Sequence, residues 1–526
     1  MNIARTTIRM AAAAALLLSV PARGQEFRPA AAFIQVNDVY RIDAVENGRV
    51  GGLGRVVTLA ERARRGTGVP VRVLHAGDFL APSLESRYFA GQQMVDALNF
   101  LHARAPIIVV PGNHEFDERR PAMLRDAINA SRFPWLAGNI RLNTGDAAAD
   151  RRLGSDTVIE SGGMRIGIFT VTFLDAPREY ALPDTMYVAA VERQIRELEG
   201  RNVDAIVGLT HLDLALDQRI AGLRRSHPKL VWIAGGHEHF LIHHPLTDST
   251  AAITKGDSNA RRVWQVVLGR RGTVPALRAD SIPLDASVPV DPAYQRDVVA
   301  RWAGRIREKV PFFDQVIGRS TTRMDATEET VRNTESAWGN WLADVMRTAY
   351  PDVPADVAVL NGGAIRIDDV IEGEIRWEHL ARTFGFPTRV GLVWLRGRDL
   401  RETLLERSVS GGRGEGRFLQ VSGLRFTFDR SRPAGQRVSE VQVQRGAAWE
   451  ALDDARVYVV AVPDYLMGGG DAYTFHNRAV MSVPPGPDLR LMAFDALAAA
   501  FSRGEAISPR VEGRITERGA NGAARP

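Results

Sequence analysis

Gly112-Asn113-His114-Glu115-Phe116-Asp117 is the stretch on which the reading of this 526-residue chain turns. It follows an apolar run of strand length, Ile107–Val110, and leads into helical spacing over Pro121–Asn129. In an open α/β sheet the carboxyl ends of the strands form the ligand crevice, so polar residues placed there can converge from distant parts of a chain. Outward from this stretch the same arrangement recurs. Ala32–Val36 runs into Asn37-Asp38-Val39-Tyr40, Val71–His75 into Gly77-Asp78, Ala205–Leu209 into Thr210-His211, and Leu230–Ala234 into Gly236-His237-Glu238-His239. Helical periods over Gly54–Arg64, Gln92–Ala103, Ala189–Leu198 and Asp217–Arg224 lie between them. The run Ile166–Val171 has no such cluster directly behind it and reads as structural. The alternation predicts an α/β layered domain over about residues 28–275.

A lone Asp at a strand end is usually a helix cap, and a lone His is usually surface or satisfied core. Five such clusters in order, each behind a strand, instead give a hard oxygen and nitrogen shell. With Cys 0 in the chain there are no thiolate ligands, no disulfides and no Cys nucleophile. Such a shell suits two divalent or mixed-valence ions from the group Mn, Zn, Fe, Co or Mg. A pair of cations can clamp a phosphoryl group, lower the pKa of water and stabilise both attacking and leaving oxygens, which removes the need for a protein nucleophile.

On the Gly112–Asp117 and Gly236–His239 motifs the chain resembles the calcineurin-like metallophosphoesterases, and among them the 5′-nucleotidase and UDP-sugar hydrolase family. The resemblance implies that Asp78 bridges two metals, that Asp38 and His239 complete one site, and that Asn113, His211 and His237 complete the other. It also makes His114 and Asp117 a catalytic pair, with Asp117 holding the imidazole in one tautomer. The rival role for Asp117 is capping the Pro121 helix. The family pattern at the first cluster is Asp-x-His, where this chain has Asp38-Val39-Tyr40. A phenol, with an ordinary pKa of about 10, ligates well only when a strong Lewis acid takes its proton. Three readings of Tyr40 follow: a ligand in an iron-preferring site, a wall of the pocket with water in the gap, or a crippled first site. Glu115 and Glu238 are expected to face away from the ligands, His75 to be a satisfied core histidine, and His243 and His244 to be loop. Gly51-Gly52-Leu53-Gly54 reads as a turn that starts a helix.

The first 24 residues read as a secretory leader: Arg5 and Arg9, an apolar run Met10–Val20, and small residues at Ala22-Arg23-Gly24. That run is shorter than the roughly 20 residues a bilayer span needs. A periplasmic or secreted protein with no stable membrane anchor is expected. The formal charge of +5 includes the leader arginines, so the remaining chain is near neutral and offers nothing to a nucleic-acid polymer. Residues 285–311, with an amphipathic stretch Tyr294–Lys309, read as a linking helix region; by analogy with the family it would sit near a hinge. A separate α+β domain is expected over 312–514, with the last dozen residues, 515–526, disordered.

The second half supplies a means of choosing a leaving group. Arg332 precedes Gly339-Asn340-Trp341, and Asn361-Gly362-Gly363-Ala364-Ile365-Arg366 follows the strand Val357–Leu360. Arg332 and Arg366 are candidate phosphate contacts, because guanidinium matches phosphate oxygens in a bidentate way. Phe384 and Tyr465 are candidate rings for stacking a planar base. The resemblance adds Asn361 and Asp471 as nucleoside contacts. The expectation is thus an exported phosphohydrolase acting on 5′-nucleotides, with a 2′,3′-cyclic phosphodiesterase, a UDP-sugar hydrolase acting on nucleotide-sugars, or a nucleotide-binding protein without catalysis as rivals.

Overall fold

The computed structural model describes residues 26–176 and 178–519, so the expected leader lies outside the described residues. Phe27–Val36, Val71–Ala76 and Ile107–Val110 pair in parallel, with Ile34 opposite Val73 and Val73 opposite Ile107. Side chains alternate across a strand. One face of these strands therefore carries Phe33, Leu74 and Val110, and the other Ile34, Val73 and Val109. The sheet has seven strands; Trp135–Leu136 and Leu153–Gly154 extend one edge, and the hairpin of Arg262–Arg271 and Val274–Pro283 extends the other.

A second sheet of six strands is built around Met164–Thr172, Ala205–His211 and Leu230–Gly236, again parallel. The two sheets pack face to face through Phe33, Leu74, Ile108, Ile166, Val207 and Trp232. Helices Leu53–Thr67, Gln92–His102 and Ala122–Ala130 cover the outside of the first sheet. Tyr187–Gly200 and Leu214–Ala221 cover the second. Burial on both faces explains why the strands read as near-continuous apolar runs.

Three expectations are corrected here. The boundary at 275 falls inside the strand Val274–Pro283, whose Arg and Asp residues hide it from an apolar scan. The linking region is helical through Pro292–Tyr294, Gln295–Ala300 and Arg301–Lys309, yet Tyr294, Val298, Trp302 and Ile306 bury themselves in the core of the first unit. The helix is therefore part of that unit, and any hinge lies after it. At the C-terminus, Ile515–Glu517 forms a strand parallel to Leu424–Phe428, with Ile515 buried, so order extends into the segment expected to be disordered; residues 520–526 lie outside the described residues.

The second domain centres on a five-stranded sheet ordered Leu419–Ser422, Val357–Asn361, Val457–Pro463, Val390–Arg396, Met481–Val483. Helices Ala337–Arg347 and Leu489–Ser502 pack on one side of it, and a four-stranded sheet on the other. The two domains meet through buried polar contacts. Asp368 is fully buried and accepts from Asn259 Nδ2 at 2.8 Å, from Arg261 Nη2 at 2.5 Å and Nε at 3.1 Å, and from the backbone N–H of Glu328 at 2.9 Å. Arg41 pairs with Asp369 at 3.3 Å, and Arg382 with Glu85 at 2.7 Å.

Removing one partner of a buried pair leaves an uncompensated charge, at a typical cost of about 3–5 kcal/mol. Asp368→Ala should therefore lower unfolding free energy by about 3 kcal/mol or more, measured by denaturant titration; a loss under about 0.5 kcal/mol would show that the contact is a surface-like pair.

Candidate active site

The strand ends of both sheets open onto one rim, and the chain turns sharply there. Asp38 and Asp78 have φ of 53° and 59°, and His237 has 84°. Left-handed backbone at a residue other than Gly is costly and is held only where the surroundings fix it. What fixes it is close packing of glycine backbone. A Cβ on Gly112 would stand 2.1 Å from Asp78 Oδ1, and one on Gly77 would stand 2.5 Å from His211 Nδ1. Glu115, fully buried, turns away from the cluster as expected, and its carboxylate accepts from the N–H groups of Asp78, Phe79 and Leu80 at 2.8–2.9 Å and of Gly112. Two ligand loops are thereby locked together by one carboxylate.

Asp38, Asp78 and His211 each offer a ligand atom within 4.8 Å of the others, all buried. His239 Nε2 is 3.3 Å from Asp38 Oδ1, and His211 Nε2 is 3.4 Å from Asp78 Oδ2 and 3.0 Å from Asn113 Oδ1. The Tyr40 hydroxyl sits in the middle of the first group: 3.1 Å from His239 Nε2, 3.2 Å from Asp78 Oδ2 and 3.3 Å from Asp38 Oδ1. Bonds of about 2.0–2.2 Å to a shared ion give neighbouring ligand atoms roughly 3–3.5 Å apart, the spacing seen here. The hydroxyl thus stands among the candidate ligand atoms. Burial raises the phenol well above 10, and the charges of Asp78 and Asp38 add to this, so it is a neutral O–H donor unless a strong Lewis acid deprotonates it.

The ring nitrogens support the same use. His211 Nδ1–H donates to the Ala76 carbonyl at 2.7 Å and His239 Nδ1–H to Glu328 Oε2 at 2.7 Å. Both donations fix the tautomer and aim Nε2 at the carboxylates. Asn113 donates its amide to Asp175 Oδ2 at 2.7 Å, which turns its Oδ1 toward His211. Lone pairs aimed at carboxylates are tolerated only with positive charge between them. In the metal-free chain protons supply it: burial opposes a charged His211, but Asp78 and Asp38 prevail and hold it up at about 10. The same histidine charges keep the Asp78 carboxyl low against the effect of burial. His237 stands beside His211, ring centres 5.5 Å apart, with its Nε2 3.2 Å from Asp213 Oδ1.

His114 Nδ1 is 2.8 Å from Asp117 Oδ2, and its Nε2 is 3.9 Å from Asp78 Oδ2. Burial disfavours the imidazolium, yet Asp78 and Asp117 outweigh it and bring His114 to about 9. Asp117 thus pairs with the ring, and the helix behind it is entered through Pro121.

From the second domain, Arg366 lies 5.3 Å over the Tyr40 ring and Arg332 donates to Glu328 Oε1 at 3.0 Å. Asn361, Tyr465 and Asp471 come together: Asn361 Nδ2 is 3.3 Å from Asp471 Oδ2, and the Tyr465 hydroxyl donates to Asp471 Oδ1 at 3.1 Å. Tyr465 is 54% exposed and offers a free face. Phe384 does not. It is 1% exposed, packed in the second domain's core and bridged by its backbone to Ile365, which corrects its expected role as a stacking ring. Phe386 takes the open position, 5.8 Å from the His114 ring and 5.7 Å from Arg366.

Several residues went unread in the sequence. Asp175 ends the segment behind Met164–Thr172, the strand judged structural, and only its displacement of three residues past the strand hid it. Glu328 has no local signal at all, whereas Asp213 stands just past the Thr210-His211 cluster. Glu238 pairs with Lys255, a fully buried cation that also binds the carbonyls of Leu212 and Gly236 at 2.6 and 2.9 Å and Asp217 at 2.8 Å. His75 is buried but unsatisfied, its ring edge-on to Phe79 and, by burial, kept neutral down to about 3. His243 and His244 belong to the short strand Ile242–His244 rather than a loop.

Comparison with known proteins places these features. The family described as calcineurin-like phosphoesterase matches residues 31–241, and that described as the 5′-nucleotidase C-terminal domain matches 316–478. The 5′-nucleotidases of Bos taurus and Homo sapiens are each 26% identical over 505 residues, covering 89% of this chain and 85% of theirs. Among solved structures, a 5′-nucleotidase precursor from Thermus thermophilus superposes with a TM-score of 0.75 at 25% identity, covering 93% of this chain and 99% of that one.

Because His211 holds a proton up to about pH 10 in the metal-free chain, ion uptake must displace it. Titration of the apo protein with Mn or Zn in buffers of differing ionisation enthalpy should show proton release and an affinity that rises from about pH 6 to pH 9. Uptake without proton release would contradict the assignment of His211.

Proposed function

The chain belongs to the calcineurin-like metallophosphoesterases of the 5′-nucleotidase family and is a phosphoric ester hydrolase, and on that premise we propose that it is an exported enzyme that hydrolyses 5′-nucleotides to nucleoside and phosphate at a two-ion centre. The observation that carries the reading is the set Asp38, Tyr40, Asp78, Asn113, His211 and His239, gathered with 3.0–3.4 Å edges beside the His114–Asp117 pair. Asp38, Asp78 and His239 would hold one ion, and Asp78, Asn113, His211 and His237 the other. Two divalent ions there supply Lewis acidity to the phosphoryl group and to the attacking water.

The chain's own groups do the rest. Arg366 and Arg332 orient the phosphoryl oxygens from the second domain. His114, held by Asp117 at 2.8 Å, faces the carboxylate cluster and hands a proton to the departing 5′-oxygen as water adds to phosphorus and the phosphorus–oxygen bond breaks. Tyr40 donates its neutral hydroxyl into the cluster, or gives up its proton where ferric iron is the native ion. Phe386 and Tyr465 flank the base, while Asn361 and Asp471 hold the sugar. Location outside the cytoplasm rests on the leader-like N-terminus; it agrees with a 5′-nucleotidase from snake venom among the relatives, and no helix of the described residues is long and apolar enough to cross a membrane.

Hydrolysis of AMP, 3′-AMP, 2′,3′-cyclic AMP and UDP-glucose should be followed by separating the products, with Mn, Zn, Co or Fe before and after chelation. AMP should be the best substrate and chelation should abolish turnover; chelator-resistant turnover, or none on any nucleotide, would overturn the proposal. His114→Ala should lower kcat by about 100-fold or more, the usual worth of a positioned acid. Phe386→Ala should raise KM for AMP roughly 10-fold through a lost stacking face, whereas Phe384→Ala should cost about 3–5 kcal/mol of stability and act on KM only through it.

A further inference from the structure

His239 belongs to the first domain, yet the group that fixes its ring comes from the second. Glu328 Oε2 accepts from His239 Nδ1 at 2.7 Å and from Ser258 Oγ at 2.6 Å, while Oε1 is bound by Arg332 at 3.0 Å. Both side chains are buried, 7% and 6% exposed. The carboxylate is itself held: the Glu328 N–H donates to buried Asp368, and Thr327 Oγ1 caps the short helix that Glu328 begins. A side chain so constrained and so placed sets one tautomer of its partner. It leaves His239 Nε2 turned toward the cluster, 3.3 Å from Asp38 Oδ1 and 3.1 Å from the Tyr40 hydroxyl, and a carboxylate behind the ring raises its strength as a ligand.

We infer that Glu328 is a positioning residue for His239, delivered across the domain junction, so that the site around Asp38 reaches full affinity for its ion only when the second domain is docked. The inference rests on the two-ion reading above. It implies reciprocity: whatever binds between Asp38, Asp78 and His239 must in turn favour the docked arrangement. The second site, around Asn113 and His211, has its own brace in the Ala76 carbonyl and owes nothing to Glu328.

The test is ion binding by the full-length chain, measured by equilibrium dialysis of Mn against a calibrated chelator, for wild type, Glu328→Ala and Glu328→Gln. Wild type should take up two ions. Glu328→Ala should keep one at unchanged affinity and bind the other about 10–100-fold more weakly, with Glu328→Gln between, since its amide oxygen still accepts from Nδ1 without the charge. In the Zn-loaded chain the His239 Nδ1–H proton should be resolved by NMR in wild type and Glu328→Gln, and broadened by exchange with water in Glu328→Ala. Two ions bound by Glu328→Ala as in wild type, or both weakened alike, would overturn the inference. A wild type that binds no ion would overturn the two-ion reading itself.

Discussion

The structure depends on one electrostatic constraint: Asp38 and Asp78, both fully buried, are held with their carboxylates around a common point. Two carboxylates removed from water repel each other, and the arrangement survives only with positive charge between and around them. In the metal-free chain that charge comes from protons on His211 and His114, with Arg366 behind Tyr40. Much else in the first domain serves to keep the carboxylates where they are. Glycine backbone lets the loops touch, Glu115 gathers four N–H groups, and Lys255 ties the carbonyls of the loops that bear His211 and His237.

The second domain completes the site rather than merely covering it. Arg366 reaches Tyr40, Glu328 reaches His239, and Phe386 lies against His114. These contacts sit beside the buried Asp368 and Arg382 pairs that hold the domains together. The candidate site residues and the contacts that dock the domains therefore lie together, and a change in one is felt in the others.

The candidate residues that the structure brings together are those whose signal is local. Asp38, Asp78, Asn113, His114, His211 and His239 each follow a run of strand length, so pattern and position agreed and the layered fold followed. Phe384 and Phe386 mark the limit. Two similar rings flank Gly385, and which one enters the core is decided by the bridge of Phe384 to Ile365, a contact made by the folded chain. Glu328 acts across the domain junction with no neighbouring motif. The strand Val274–Pro283 was hidden for another reason: as an edge strand with exposed Arg and Asp it has little apolar pattern to read.

The most direct measurement is anomalous scattering from crystals of the full chain grown with manganese. Two peaks should appear, one among Asp38, Asp78 and His239 and one among Asp78, Asn113 and His211, separated by about 3.5–4 Å as a phosphoryl clamp requires. Peaks elsewhere, or a centre from which Asp78 is absent, would contradict the account.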